Sequence, residues 1–503
     1  MPSNVDGDLG YGSLAAGQGP GLAGSLVVSE TVPLLIPESE PEPRKWAPLT
    51  KEQLEREAGG PRWRKIRSRL VWFFWICWLA MLGASIAIIV QSPRPVAPTL
   101  LWWQKALFYR LQPALFMDAE TQGAGVIAVS ERLPYLQTLG VGAVVLEGLF
   151  SNSVSALDLS LVDPSVGTTP QIQHLLMESH KAGLKVVLDW CDLDLAAPEA
   201  LVNNSNVQKA IRYWLDQGVA GFGICDTDTA YSQKTLVELR VLLEEFSTQD
   251  DERIVMVTQK GDVPNTSSSS LNSSMVELVT RSLLPQAHHL LSTQEVAIAL
   301  ETLLDTPMGD AWPSWTLGEE LAWRLQRVLM VLMMTLPGSP VVKYGEEINP
   351  TQNVSLGLVQ GQHADVQMDE GRRQRSEVSL FTSLSHYRGR EEALLFGSLS
   401  FLSFNSTSLS SSSSNSSSLP SSFSPPILAF LRSWGCVHVL VVVNLGSETH
   451  ALDPAWAPSL PSAGVFMTST GMNRLGAISL DALKLGPQEG IVIKLFQTGS
   501  YSP

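Results

Sequence analysis

Cysteine is scarce: four in 503 residues, too few for a fold held together by a disulfide framework. Histidine is scarce as well, with eight, and no Cys/His cluster stands at zinc-ligand spacing, so neither a metal nor a cofactor is expected. Lys and Arg number 34 against 49 Asp and Glu, a net charge of -15. That deficit excludes nucleic acid as the main partner, because no surplus of cations is present to displace phosphate counterions. Charged residues make up only 17 %, which excludes a chain that is a solvated polyelectrolyte throughout. What is abundant is apolar: 44 % of the residues are hydrophobic, in a chain too long for one ordinary domain.

The apolar residues are concentrated first in Leu70–Val90, LVWFFWICWLAMLGASIAIIV, 21 residues without a charge. At the helical rise this run spans roughly 32 Å, against about 30 Å for a bilayer core. Globular helices rarely stay apolar on every side for so long, and a signal peptide would start earlier and carry a shorter apolar region. Arg62, Arg64, Lys65, Arg67 and Arg69 precede the run, and Arg94 stands nearly alone beyond it. The positive-inside bias therefore places residues 1–69 in the cytoplasm and the rest outside, a single-pass type II arrangement. Six N-x-[ST] sequons agree, all beyond the span: Asn203, Asn265, Asn272, Asn353, Asn405 and Asn415. The last two lie in a serine tract, where sequons arise by chance, and carry less weight. Within the span, Ala80, Gly83, Ala84 and Ala87 form two interleaved small-xxx-small pairs, a surface on which a second membrane helix can pack closely. Small residues are also simply common in such spans. Trp72, Trp75 and Trp78 are expected to face lipid or to sit near the interface.

Residues 1–48 are rich in Gly, Pro, Ser and Glu and read as a disordered tail. Glu30, Leu34 and Leu35 fit the acidic dileucine pattern of endosomal sorting, which adds an endosomal or lysosomal pool to the expectation. Thr50 with Gln53 reads as a capping box opening a short helix. After a neck at 91–105, strand-like runs at 106–111, 141–148, 184–190, 219–225, 253–259 and 339–345 alternate with helical patterns such as 169–183 and 206–218. Alternation of this kind predicts a parallel sheet with right-handed crossovers, and the extent, 106–375, suits a (β/α)8 TIM-type barrel. From about residue 376 the pattern turns to β, with strand candidates at 392–404, 438–446 and 489–497. Residues 376–503 thus read as a smaller antiparallel β domain, interrupted by a Ser-rich loop at 405–426. The fold class is α/β: one transmembrane helix, a barrel and a C-terminal antiparallel β domain.

Three segments resemble the α-amylase family of glycoside hydrolases: LSLVDPSVGTTPQIQHLLMESHKAGLKVVLDW at 159–190, TLPGSPVVKYGEEI at 335–348, and VLVVVNLG at 439–446. The resemblance implies a TIM barrel followed by a β-sandwich, with catalytic groups at the ends of strands 3, 4, 5 and 7. A retaining glycosidase needs two carboxyl groups about 5–5.5 Å apart. The family's fourth strand carries an Arg and a nucleophilic Asp; here Gly223 and Cys225 hold those positions. Asp226 comes one residue late and should point away from the site, since strand side chains alternate faces. Where the fifth strand should bring a general acid, Thr258 and Gln259 stand, and neither regains a proton near neutral pH. The seventh-strand segment 311–318 lacks the usual His-Asp, and Leu193 and Asp194 replace an Asn and a His after strand 3. Of the family's residues there, Asp189 survives, with a structural role implied. Cys225 reads as a buried, inert thiol without a base; a bond to Cys191 at the end of the neighbouring strand stays open.

The order of tail, basic stop, span, barrel without an inserted lobe and β domain is similar to the 4F2-type heavy chains of heteromeric amino-acid transporters. LTKEQLEREAGGPRW before the span, and SPRP and WWQKALFYR beyond it, look like that family too. The resemblance implies a non-catalytic subunit whose partner is a multi-span light chain and whose location is the plasma membrane. The family's linking cysteine beyond the membrane falls at Pro95, so any assembly is expected to be non-covalent. Two other readings stay open: an ectoenzyme acting on glycosides, and an adhesion or scaffold glycoprotein bound to another receptor such as an integrin.

Overall fold

In a computed structural model the described residues are 50–91, 97–116, 125–150, 159–191, 205–227, 233–248, 251–260, 275–284, 292–305, 311–318, 325–348, 364–402, 426–452 and 460–496. The dileucine residues Glu30, Leu34 and Leu35, all six sequons, Pro95, Leu193, Asp194 and the Ser-rich loop lie outside them. The chain divides into two units, residues 1–92 and 93–503.

The first unit holds two helices. α1 (Lys51–Ala58) starts at Thr50, whose backbone N–H and hydroxyl both donate to Gln53 Oε1, the expected capping box. α2 (Pro61–Gln91) contains the whole apolar run and buries none of its residues. It is long and apolar enough to cross a membrane.

The second unit opens with a one-turn helix, α3 (Trp102–Lys105), and then a closed parallel barrel. Its strands are β1 (Phe108–Leu111), β2 (Ala143–Leu146), β3 (Lys185–Asp189), β4 (Gly221–Cys225), β5 (Ile254–Thr258), β6 (Leu278–Ser282), β7 (Trp312–Thr316) and β8 (Ser339–Lys343). β8 pairs back onto β1 and closes the ring. Alternation along each strand sorts its side chains. Phe108, Ala143, Val145, Val187, Met256, Leu278 and Val341 form one cluster filling the barrel interior, closed off by Trp103. The residues between them join the larger cluster beneath the surrounding helices. That clustering explains the helices: α4 (Gly125–Thr138) buries Val126, Val129, Leu133 and Leu136, and α5 (Thr169–Lys181) buries Ile172, Leu175, Leu176 and Ser179, each at helical spacing; α6 (Ser205–Asp216), α7 (Gln233–Phe246) and α8 (Thr293–Asp305) follow in turn.

Two sequence-based expectations change here. Residue 376 lies well inside a helix, α10 (Ala364–Arg390), whose Leu380, Phe381 and Leu384 are buried at spacings of one, three and four. Residues 392–395, expected as the start of a strand, form a short helix of good helix formers, α11 (Glu392–Leu395), before β9 (Ser398–Leu402). Beyond it, β10 (Ile427–Trp434), β11 (Val437–Asn444), β13 (Ala463–Ser469), β14 (Ala477–Ser479) and β16 (Gly490–Phe496) complete a six-stranded antiparallel sheet in the order β14-β13-β16-β11-β10-β9; β12 (His450–Ala451) and β15 (Lys484–Leu485) form a two-stranded ribbon. One face of the sheet packs against α9 (Gln326–Thr335), in which every residue but Arg327 is buried. Two buried arginines tie off the end of that helix. Arg388 donates to the carbonyls of Met334, Leu336 and Gly338, and Arg432 to those of Thr335 and Leu394. Cations at a helix C-terminus meet unpaired carbonyls and the negative end of the dipole.

Candidate functional site

The barrel mouth, at the C-terminal ends of the strands, encloses a cavity of about 480 Å³. Its centre is an arginine. Arg110 on β1, in the four-residue strand FYRL, points inward and is 7 % exposed. Its Nε lies 3.1 Å from Glu147 Oε1, its Nη2 lies 3.7 Å from Asp189 Oδ2, and Nη2 donates to Thr258 Oγ1 at 2.9 Å. Asp189 also accepts the backbone N–H of Cys191 at 2.9 Å, so it does hold structure, as its surviving position implied. Burial raises the Glu147 carboxyl above its usual range; Arg110 opposes that shift and the charge of Asp189 adds to it.

Gly223 supplies the space for this ion-paired set. A Cβ built there would stand 2.9 Å from Asp189 Oδ1. The position at which the amylase pattern puts an arginine is therefore occupied by the carboxylate of a neighbouring strand, and a guanidinium enters from β1 instead. Sequence reasoning did not single out Arg110. The signal was a single charged residue inside a strand whose four side chains are all buried.

Cys225, at the end of β4, is bonded to Cys191, with Cα atoms 4.9 Å apart. The expectation of an inert free thiol is corrected: strand neighbours in register bring the two sulfurs together. Asp226 falls in the turn after β4, where its Oδ1 accepts the Lys260 backbone N–H at 2.9 Å, and it does not line the cavity. Thr258 and Gln259 do line it, and Gln259 Oε1 accepts from Arg281 Nε at 2.8 Å. Lys343 on β8 completes the rim. Gly223, Cys225 and Gln259 are thus gathered at one end of the barrel, as their strand positions require. Among the described residues no group of three or more His, Cys, Asp or Glu could hold a metal. Ala80, Gly83, Ala84 and Ala87 are exposed on α2.

Chemically the mouth is polar and internally paired. A sulfur in a disulfide cannot act as a nucleophile toward a glycoside, and an amide does not exchange protons near neutral pH. The carboxylates present, Glu147 and Asp189, face a cation.

Residues 37–109 match the family model described as solute carrier family 3 member 2 N-terminus, and residues 110–192 match the alpha amylase catalytic domain. The amino acid transporter heavy chain SLC3A2 of Oryctolagus cuniculus is 28 % identical over 529 residues, covering 94 % of this chain and 92 % of that protein. Along nearly its whole length, the chain is similar to amino acid transporter heavy chains. The SLC3A1 heavy chain of Homo sapiens is 22 % identical over 62 % of this chain and 63 % of its own length. Among solved structures, the maltogenic α-amylase AmyB from Thermotoga neapolitana superimposes with a TM-score of 0.56, covering 79 % of this chain and 100 % of that one at 13 % identity. That likeness concerns the fold alone: an amylase-type barrel with an antiparallel C-terminal sheet.

Proposed function

We propose that this chain is the ancillary, non-catalytic heavy chain of an amino-acid transporter. It holds a multi-span light chain and brings it to the plasma membrane. The observation that carries this reading is the similarity to a transporter heavy chain over 94 % of the sequence. The mouth supports it, since Cys225 at the nucleophile position is committed to a disulfide and Gln259 stands where an acid would be needed. That the described residues hold one helix apolar and long enough to span a membrane supports it as well, because a transport path needs polar groups shielded by several helices, which a partner would supply.

The finer parts of the reading rest on the sequence. The basic flank before α2 favours a cytoplasmic N-terminus, with the barrel and the β domain outside and glycosylated at the six sequons. The side of α2 bearing Ala80, Gly83, Ala84 and Ala87 contacts a light-chain helix. With Pro95 at the linking position, the two chains associate without a disulfide. Glu30, Leu34 and Leu35 route part of the population to endosomes or lysosomes.

The experiment is removal and restoration in cells. Deleting the chain should lower both amino-acid uptake and the surface amount of a multi-span transporter, and re-expression should restore both together. Unchanged uptake and unchanged surface transporters would contradict the reading.

A further inference from the structure

Beside the mouth, between β1, β8 and α4, lies a second cavity of about 120 Å³. That is the volume of about four water molecules. Glu347 lines it, 3 % exposed. The carboxylate accepts the Tyr109 hydroxyl at 2.8 Å and the Gly345 backbone N–H at 2.9 Å. Among the described residues no cation forms an ion pair with it; its partners are the hydroxyl and the backbone N–H. A buried carboxylate without a counter-ion is costly.

The rest of the wall is aromatic. The rings of Phe116 and Tyr344 have centroids 4.5 Å apart at 56°, and Tyr135 lines the same space with 36 % of its surface exposed. Aromatic faces attract cations through their quadrupole. One face is already taken: the exposed side chain of Arg132 sets its Cζ 4.4 Å from the Phe116 centroid. The chain's own guanidinium therefore stands at the rim of a cage that ends in a carboxylate.

We propose that this cavity binds a small free organic ammonium ion, its charge against Glu347 and its alkyl groups against Phe116, Tyr135 and Tyr344, in competition with Arg132. An inorganic cation is a poorer fit, since hard metal ions want several oxygen ligands and no three acidic or imidazole side chains gather here among the described residues. A sugar or nucleotide exceeds the volume. The site is separate from the transporter reading and does not depend on it.

The test uses the full-length protein in detergent and tetramethylammonium chloride as probe, with sodium chloride at equal ionic strength as control. Proton NMR of the probe should show saturable binding with an upfield, ring-current shift of its methyl signal. Glu347→Gln should weaken binding about tenfold or more, the scale of a lost charged contact. Arg132→Gln should tighten it about three- to fivefold, the scale of one exposed cation–π contact. Tyr135→Leu, at the exposed rim, should weaken binding without altering the thermal midpoint, and keeps the test open if Glu347→Gln does not fold. No saturable binding, equal binding by Glu347→Gln, or weaker binding by Arg132→Gln would overturn the assignment.

Discussion

Cys191 and Cys225 join the segment just past β3 to the last residue of β4, across the rim of the barrel mouth. The bridge closes a loop with a sequence separation of 34. By loop-closure entropy such a link stabilises by about 4 kcal/mol at most, and about 2–4 kcal/mol is typical. The double variant Cys191→Ser/Cys225→Ser should lose an amount in that range in urea unfolding, and reductant should have little further effect on it. An unchanged midpoint would show that the bridge does not form in the protein.

Arg110 is the second fixed point of the mouth. Removing it takes away the guanidinium that pairs with both Glu147 and Asp189 and leaves Lys343, at the rim, to offset Glu147. Arg110→Met should therefore destabilise by about 3–5 kcal/mol, the cost of breaking a buried pair. Glu147→Gln should cost less, because the Glu147 side chain keeps 24 % of its surface in water. Denaturant midpoints of the two variants measure the order directly, and equal losses would contradict the geometry.

Acid carboxyls near β8 give the fold a definite pH response. Burial pushes the Glu346 carboxyl up to about 7 from an ordinary 4.5. Glu347 is raised as well, again by burial. Between those two values the folded chain holds a proton that the unfolded chain has released. Stability therefore falls as pH rises from about 4.5 to about 7, by up to about 1.4 kcal/mol per pH unit for Glu346. Glu346→Gln should flatten that part of the stability profile, and the variant's gain over the parent should be larger at pH 8 than at pH 5. A gain that is larger at pH 5 would reverse the assigned sign.

Assembly without a linking disulfide has its own readout. On a non-reducing denaturing gel the chain should run at its own mass and not together with a light chain. A band that carries both chains and separates on adding thiol would show that another cysteine does the work; Cys436, free and exposed, would be the first to replace.

Much of the barrel was legible because its strands are short apolar runs between periodic helices, and β1 to β5 and β8 fall inside the runs read from sequence. β6 and β7 were not named as strands. β6 ends in three polar residues, Thr280, Arg281 and Ser282, of which Ser282 lines the mouth, and β7 carries Pro313, a residue that argues against a central strand. The helix that runs on to Arg390 was missed because polar residues separate its few buried ones. At the site, the positions Gly223, Cys225 and Gln259 could be read from strand order. The bond between the two cysteines was raised by their strand positions but left open, and the arginine that fills the mouth was not singled out, because both depend on the register between neighbouring strands, which composition does not reveal.

The central claim is that the barrel is carried for assembly and not for hydrolysis. The most direct measurement is purification of the full-length chain from cells in mild detergent, with identification of whatever multi-span protein accompanies it. An amino-acid transporter light chain, released from this chain by denaturation without thiol, is the expected result. Purified protein that brings no transporter with it and cleaves maltose-like glycosides, losing that activity on Asp226→Asn, would contradict the account.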